Sequence, residues 1–397
     1  MRNEVRRPVI PPDSSSRSRI RRRLLAWYDG HKRDLPWRRR AGDAYAQMLA
    51  ELMLQQTQVA TVIGYYERFI ARFPTVADLA RADLDEVLAL WSGLGYYSRA
   101  RHLHAAARAI VEHHGGVVPS HVHQLMSLPG IGRYTAGAIA SIAYGRRAAV
   151  LDGNVVRVLM RLLALEDDPK RPALREQLWS VAEQLLPRSR CGDFNQALME
   201  LGATVCRPGI PDCDECPLRA DCRGHERGLV DRIPPPARRA TVRSVEYVVA
   251  AIRHGGRMLF VQRPLTGLWA GLWELPSEPL AAGETAGDGL RRLRERLPPK
   301  CRIKDAEAGT ATRQLTHRTV LFHVYEGRAA SAALPATASY GVSTGPRTGK
   351  RSARTGPKSS GSASAGPPAR WLRPDELSQI GLSRAGLAVL QLLRWSA

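Results

Sequence analysis

The sequence is short of negative charge: 37 Asp and Glu stand against 59 Lys and Arg over 397 residues, a formal net charge of +22. It is also short of lysine, since six of those cations are Lys and 53 are Arg. Genomic base composition accounts for that bias as well as chemistry does. Long apolar runs are missing. Tyr247–Ile252 is typical of what is present, and nothing approaches the roughly 18 residues that a membrane helix needs. The basic N-terminus has no apolar stretch of the kind that marks a signal peptide, so a soluble cytoplasmic protein is expected. Disorder throughout is excluded by an apolar content of 44%. The length suggests two or three domains, each large enough to bury a core.

The excess charge is unevenly placed. Residues 1–40 carry 13 basic and four acidic side chains, and between Glu326 and Asp375 there are eight basic residues and no acidic one. Solubilising tails explain much of the total, and a polyanionic partner also fits it.

Along the chain, residues 1–19 mix Arg, Ser and Pro and read as a disordered basic arm. From residue 20 to about 203 the pattern is helical. Val59, Val62, Ile63, Tyr66, Phe69 and Ile70 form one stripe at helical spacing. A helix through Leu84, Val87, Leu88 and Trp91 stops at Gly93-Leu-Gly95, and another over Ser98–His114 ends at Gly115-Gly116. An all-α domain over 20–232 is expected, then a Pro-rich linker over 233–240. After it the pattern changes. Val245–Ile252 and Met258–Gln262 read as strands paired across Gly255-Gly256, Val320–Tyr325 as a further strand and Leu290–Leu297 as a helix. Residues 241–397 are thus expected to form an α+β domain, interrupted by a disordered Ala/Ser/Gly/Pro/Arg-rich insertion over 328–369.

Cys206, Cys213, Cys216 and Cys222 form a C-x6-C-x2-C-x5-C array. Four clustered thiolates repel one another unless a metal lies between them, and in a reducing compartment disulfides are disfavoured. Four-cysteine zinc sites are common. One close pair flanked by longer gaps suits the wider corners of an iron–sulfur cube. Cys191 and Cys301 fall outside the array and read as buried or free thiols.

Leu128-Pro-Gly-Ile-Gly-Arg-Tyr-Thr135 links two helices through a glycine hairpin. Without side chains at Gly130 and Gly132, backbone N–H groups can approach a phosphate at a helix N-terminus. Val150-Leu-Asp-Gly-Asn-Val-Val-Arg-Val158 and the four cysteines follow in order. Together with Leu35-Pro-Trp-Arg38, Glu51–Val59, Gly93–Arg99 and Asn195–Gly202, this set resembles the helix-hairpin-helix DNA glycosylases that carry a [4Fe-4S] cluster, and within them the adenine-specific MutY family. The resemblance covers about residues 33–222. It extends through Gly267-Leu-Trp-Ala-Gly-Leu-Trp-Glu-Leu-Pro276 into a Nudix-like C-terminal domain.

The resemblance implies a fold: a multidomain chain with an all-α helix-hairpin-helix glycosylase domain and a [4Fe-4S] cluster loop over 206–222, followed by an α+β Nudix-like domain. It also implies an activity. Breaking a glycosidic bond through an oxocarbenium-like transition state calls for a protonated carboxyl to help the base leave and an ionised one to steady the sugar. By resemblance Glu51 is the general acid at adenine N7 and Asp152 the stabiliser, whereas read alone they are a solvated helix glutamate and a helix N-cap. Burial should raise the pKa of Glu51, while nearby helix N-termini keep Asp152 ionised. Asn154 is expected to position the attacking water. Tyr134 stands where strand-cutting relatives carry a Schiff-base lysine, which implies a monofunctional enzyme.

The partner implied is double-stranded DNA with adenine opposite 8-oxoguanine or guanine, bound by a monomer. Gln56 and Thr57 are expected beside the opposite base, with Tyr96 wedged into the stack. Trp37, Arg38 and Glu200 are expected to line the adenine pocket, Glu200 reading an exocyclic amine. The family's Phe-Ser-His lesion-reading loop corresponds here to Leu315-Thr-His317, with Thr316 and His317 retained in kind and the aromatic lost. The basic helix Leu290–Leu297 has no Glu-Glu pair for magnesium, so nucleotide hydrolysis is not expected. Two other readings are an endonuclease III-type pyrimidine glycosylase/AP lyase, against which Tyr134 counts, and a non-catalytic iron–sulfur DNA-binding scaffold, against which Glu51 and Asp152 count.

Overall fold

The computed structural model describes residues 9–236, 242–298, 300–315, 318–332, 334 and 368–395. The chain divides into two compact units: Met1–Arg81 with His102–Arg238, and Ala82–Arg101 with Arg239–Ala397.

The first unit is helical. Its first helix, Ser14–His31, begins where the Asp13 carboxylate accepts the Ser16 N–H at 2.8 Å. The arm expected over 1–19 therefore gives way to helix at residue 14. Arg19 and Arg23 in that helix both pair with the buried Asp221 carboxylate, and Ile20, Leu24 and Tyr28, spaced four apart, enter the core. The stripe predicted over Val59–Ile70 forms the helix Val59–Arg72, which buries Val62, Tyr66 and Phe69. The hairpin joins the helices Val122–Met126 and Arg133–Ile142. Its Gly130 has φ +76°, and a Cβ there would lie 2.5 Å from the Cβ of His102. Glycine is thus required both by the backbone and by the close neighbour. The first unit also extends past the expected boundary at 232, since Ile233 is fully buried in this core.

The helices Gly153–Leu163 and Cys191–Thr204 cross closely at Gly202, where a Cβ would stand 2.6 Å from the Cβ of Asn154. Leu159, Phe194, Leu198 and Leu201 share their core.

The second unit is built on a mixed seven-stranded sheet. Its strands are β1 (Arg243–His254), β2 (Arg257–Gln262), β3 (Trp273–Glu274), β4 (Ser277–Pro279), β5 (Cys301–Gln314), β6 (Arg318–Ala329) and β7 (Ala369–Leu372). The main order is β3-β2-β1-β6-β5, with β4 paired to β1 and β7 to β2. β1 and β6 run parallel, and the other pairs are antiparallel. The β1–β2 hairpin turns at Gly255-Gly256, with φ 52° and 73°, as two successive left-handed positions require. Alternate residues of β1 enter opposite cores: Tyr247, Val249 and Ala251 on one face, Val248, Ala250 and Ile252 on the other. The helix Ala286–Arg296 packs Leu290 and Leu293 on the second face, and the helix Arg384–Leu392 packs Ala388 and Val389 on the first.

Strand β6 continues to Ala329 and β7 starts at Ala369, so both ends of the insertion expected over 328–369 are strand. Ladder pairing with β5 and β2 holds these ends. Residues 335–367 lie outside the described residues. Among the described residues no helix is long and apolar enough to cross a membrane.

Candidate active site

A cavity of about 700 Å³ opens in the first unit, and Glu51, Tyr134, Asp152 and Asn154 all line it. Glu51 sits in the helix Ala44–Leu54, which is started by the Asp43 carboxylate and buried along most of its length. Its side chain is 3% exposed. The Tyr134 hydroxyl donates to Oε2 at 2.6 Å and the Gln47 amide donates to Oε1 at 2.7 Å. Burial drives the carboxyl up from 4.5 to about 7. The Tyr134 bond opposes that rise, the charge of Asp152 adds to it, and the Gln47 bond and the charge of Arg38 oppose it. Burial and the adjacent carboxyls also keep the Tyr134 phenol well above its usual range, so it stays a donor.

Asp152 is the N-cap of the helix Gly153–Leu163: Oδ1 accepts the Val155 N–H at 2.7 Å and Oδ2 accepts the Asn154 amide at 3.1 Å. The cap fixes the carboxylate against the cavity, so both readings of this residue describe one geometry. Its pKa lies above the ordinary aspartate value. Burial pushes it up, and the Val155 N–H, the Asn154 amide and the charge of Arg157 offset only part of the rise. Asn154, expected to position a water, is engaged at both ends. Its Oδ1 accepts from Arg157 Nη2 at 2.8 Å, and Arg157 also donates to the Cys206 carbonyl at 2.8 Å and the Gly202 carbonyl at 2.7 Å.

Trp37, Arg38 and Glu200 line the same cavity. Glu200 is fully buried. Its Oε1 accepts from Arg33 Nε at 2.7 Å and from the Arg33 N–H at 3.0 Å, and its Oε2 from Arg38 Nη2 at 2.9 Å. Burial works against the carboxylate, but the Arg33 and Arg38 bonds prevail and hold its pKa down at about 2. Glu200 therefore does not offer a free oxygen to an amine. It clamps two guanidiniums at the cavity wall.

Gln56 and Thr57 line the cavity where the chain leaves the Ala44–Leu54 helix. Gln56 is left-handed, with φ 57°. In the second unit Tyr96 is also left-handed, with φ 49°, and 39% exposed. Such a conformation costs a non-glycine residue about 1–3 kcal/mol and persists where the surroundings enforce it. Here Gly93 and Gly95 shape the turn, and the Arg99 guanidinium stacks 5.4 Å from the Tyr96 ring. Tyr96 and Leu315 line one cavity of about 500 Å³ with Trp269, Gln314 and Arg318. Leu315 also packs partly against the sheet core. Thr316 and His317 lie outside the described residues.

Cys206, Cys213, Cys216 and Cys222 are free thiols, each partly buried. Burial first, and then the charge of the other cysteines, pushes the Cys213, Cys216 and Cys222 thiols up, Cys216 to about 12. Thiolates gathered here need positive charge among them. Part of it is already supplied, since Arg161 Nη1 lies 3.4 Å from Cys206 Sγ. The donor set therefore fits a thiolate-bound metal group. Among the described residues no three His, Cys, Asp or Glu side chains stand close enough to share a single ion.

The sequence reading passed over Gln47, Arg33 and Arg157. Gln47 and Arg157 carry a simple signal: they stand four residues before Glu51 and three after Asn154, on the same helix faces. Arg33, far from Glu200 in sequence, carries none.

Residues 49–184 match the HhH-GPD superfamily base excision DNA repair protein family, and residues 247–392 match the NUDIX domain family. A curated adenine DNA glycosylase of Rattus norvegicus is 44% identical over 332 residues, 70% of this chain and 64% of that protein. The adenine DNA glycosylase of Mus musculus is 41% identical over 360 residues, covering 77% of this chain and 70% of its own length. This chain thus spans less than two thirds of the rat relative. Among solved structures, a thermostable thymine-DNA glycosylase superposes with a TM-score of 0.50 at 30% identity, covering 54% of this chain and 98% of its own. With a helix-hairpin-helix unit and a Nudix-like unit in this order and that identity across both, the chain belongs to the adenine DNA glycosylase family.

Proposed function

We propose that this protein is a monofunctional adenine DNA glycosylase that hydrolyses the N-glycosidic bond of adenine opposite 8-oxoguanine or guanine in double-stranded DNA. It acts as a cytoplasmic monomer. The observation that carries the reading is the buried Glu51 carboxyl, raised to about 7 and held 2.6 Å from a phenol, in one cavity with the capped Asp152. At neutral pH such a group retains a proton to give to a leaving purine. Asp152, fixed by the Val155 N–H and the Asn154 amide, faces the sugar as positive charge develops. Its upward pKa shift lessens as cationic charge grows in front of it, since an opposite charge favours the carboxylate.

Tyr134 has no amine with which to form a Schiff base, which supports hydrolysis without strand cleavage. The target base has to leave the stack, at about a few kcal/mol, and left-handed Gln56 and Tyr96 are the residues assigned to the opposite base and the vacated space. Gly130 and Gly132 expose backbone N–H groups to phosphate, and Trp37 and the Arg38–Glu200 clamp bound the purine pocket. Thr316 and His317 are assigned to lesion reading on resemblance. Cys206, Cys213, Cys216 and Cys222 are assigned to a [4Fe-4S] cluster, which supplies a rigid, charged fold for the loop. Excision from duplexes with adenine, uracil or thymine glycol opposite several partners tests the reading. Adenine should be removed, fastest opposite 8-oxoguanine. Preferential removal of an oxidised pyrimidine, or efficient borohydride trapping on DNA, would overturn it.

A further inference from the structure

Arg161 lies in the helix Gly153–Leu163 with 2% of its surface exposed, among the largest fully buried side chains described. Its donors tie the cysteine loop to the chain segment at Ile233. Nε bonds the Ile233 carbonyl at 2.7 Å, Nη1 the Arg207 carbonyl at 2.8 Å, Nη2 the Gly209 carbonyl at 2.9 Å, and Nη1 also reaches Cys206 Sγ at 3.4 Å. The helix backbone at this residue faces the other end of the array: its carbonyl oxygen is 3.5 Å from Cys222 Sγ, and a Cβ on Gly224 would come within 2.4 Å of it. Arg161 therefore touches both the first and the last cysteine. Carbonyls satisfy its N–H groups but carry no net charge, and among the described residues no carboxylate forms an ion pair with it. A guanidinium does not lose its proton in a protein, so its charge persists at this depth. A buried charge without a counter-charge is strongly unfavourable.

We infer that Arg161 is the internal counter-charge of the cysteine-bound cluster, a positioning residue that braces the loop and sets the cluster's reduction potential. This rests on the reading of the four cysteines as cluster ligands. Four thiolates make the bound group anionic overall, and that anion is the missing partner of the guanidinium. Adding one electron makes the group more negative by one charge. A fixed cation in contact with a ligand sulfur in a poorly solvated site favours that reduced form. Neutralising the cation should lower the potential. An exposed arginine of the same loop, such as Arg219 with half its side chain in solvent, is screened and should have much less effect.

The test uses the full chain loaded with its cluster, comparing wild type with Arg161→Gln, Arg161→Lys and Arg219→Gln. Protein-film voltammetry reads the potential, and visible absorbance with iron analysis reads cluster content and its loss to a chelator. For Arg161→Gln the preference for the reduced form should fall about tenfold, a shift of about 59 mV to more negative potential for a one-electron couple. Arg161→Lys keeps the charge but not the fork. It should hold the wild-type potential while losing its cluster to the chelator faster. Arg219→Gln should match wild type in both. If Arg161→Gln does not retain a cluster, Arg161→Lys still decides, since a lysine variant with a clearly lowered potential overturns the counter-charge role. Unchanged potential in Arg161→Gln overturns it as well. A wild-type chain that binds no iron overturns both this inference and the cluster reading, whereas an iron-loaded wild type with indifferent Arg161 variants overturns this one alone.

Discussion

Replacing Glu51 by glutamine should make the protein more stable and inactive at once, by an amount that depends on pH in one direction. The folded state raises this carboxyl from 4.5 to about 7 because burial disfavours its charge. Below about pH 4.5 the group is protonated in both states and costs nothing. As pH rises from 4.5 towards 7, the unfolded chain releases the proton while the folded one keeps it, so stability declines; above about 7 the loss levels off. At 1.36 kcal/mol per unit, the penalty at its plateau is about 3 kcal/mol. Glutamine carries no charge and preserves the local bonds. Its oxygen can accept from Tyr134, and the Gln47 amide can turn its own oxygen towards the new NH₂ group. Urea unfolding of wild type and Glu51→Gln, followed by tryptophan fluorescence near pH 5 and near pH 8, should give midpoints that separate in favour of the variant as pH increases, by up to about 3 kcal/mol. Adenine excision under single-turnover conditions should be lost in the variant, and in wild type the rate should decline as pH passes through about 7. A stability difference that stays constant with pH, or excision by Glu51→Gln at the wild-type rate, would refute the reasoning.

Other outcomes follow from the same geometry. Tyr134→Phe removes a bond that favours the ionised Glu51, so its pKa should rise further and the alkaline fall in excision rate should move to higher pH; a profile displaced to lower pH would contradict this. Gly202→Ala drives a methyl group into Asn154, which should displace the Asp152 support and slow single-turnover excision on the order of 10²-fold while the iron content is retained. Removing the Asp221 carboxylate (Asp221→Asn) leaves Arg19 and Arg23 without their shared partner and should loosen the Ser14–His31 helix, seen as faster amide exchange there. Truncating residues 1–8 should flatten the salt dependence of DNA affinity if that basic segment meets phosphate, and an unchanged slope would mark it as idle.

Much of this was legible in the sequence because the signals were local. Helical stripes such as Val59–Ile70, glycine stops and the Gly255-Gly256 hairpin all depend on neighbours within a few residues. Strand β5 was missed because it is an edge strand with a single buried residue, Ala311, so it lacks the alternation that marks a strand with one face in a core. The opening turns of the helix at Ser14 were missed because residues 14–19 are all Ser and Arg, with no apolar residue before Ile20 to mark a stripe, and the Asp221 carboxylate that pairs with Arg19 and Arg23 lies two hundred residues away. At the site, residue types in motifs foretold the meeting of Glu51, Tyr134 and Asp152 in one cavity. They could not foretell that Arg33 would take up Glu200, or that burial would outweigh the helix N-terminus at Asp152. Both outcomes are set by three-dimensional desolvation and long-range pairing.

The segment Ala82–Arg101 folds with the sheet, although in sequence it lies inside the helical domain. Ser92 and Tyr97 donate to the Leu382 carbonyl, Asp85 receives the Trp273 indole and the Gln262 amide, and Gly381 packs against Leu88. Excising the N-terminal half at the proline linker would therefore not release a finished module. It would strand a twenty-residue excursion whose anchors had been cut away, baring Leu88 along with the turn that displays Tyr96. For anyone trimming this gene into parts, the seam between the two halves is not where the prolines are.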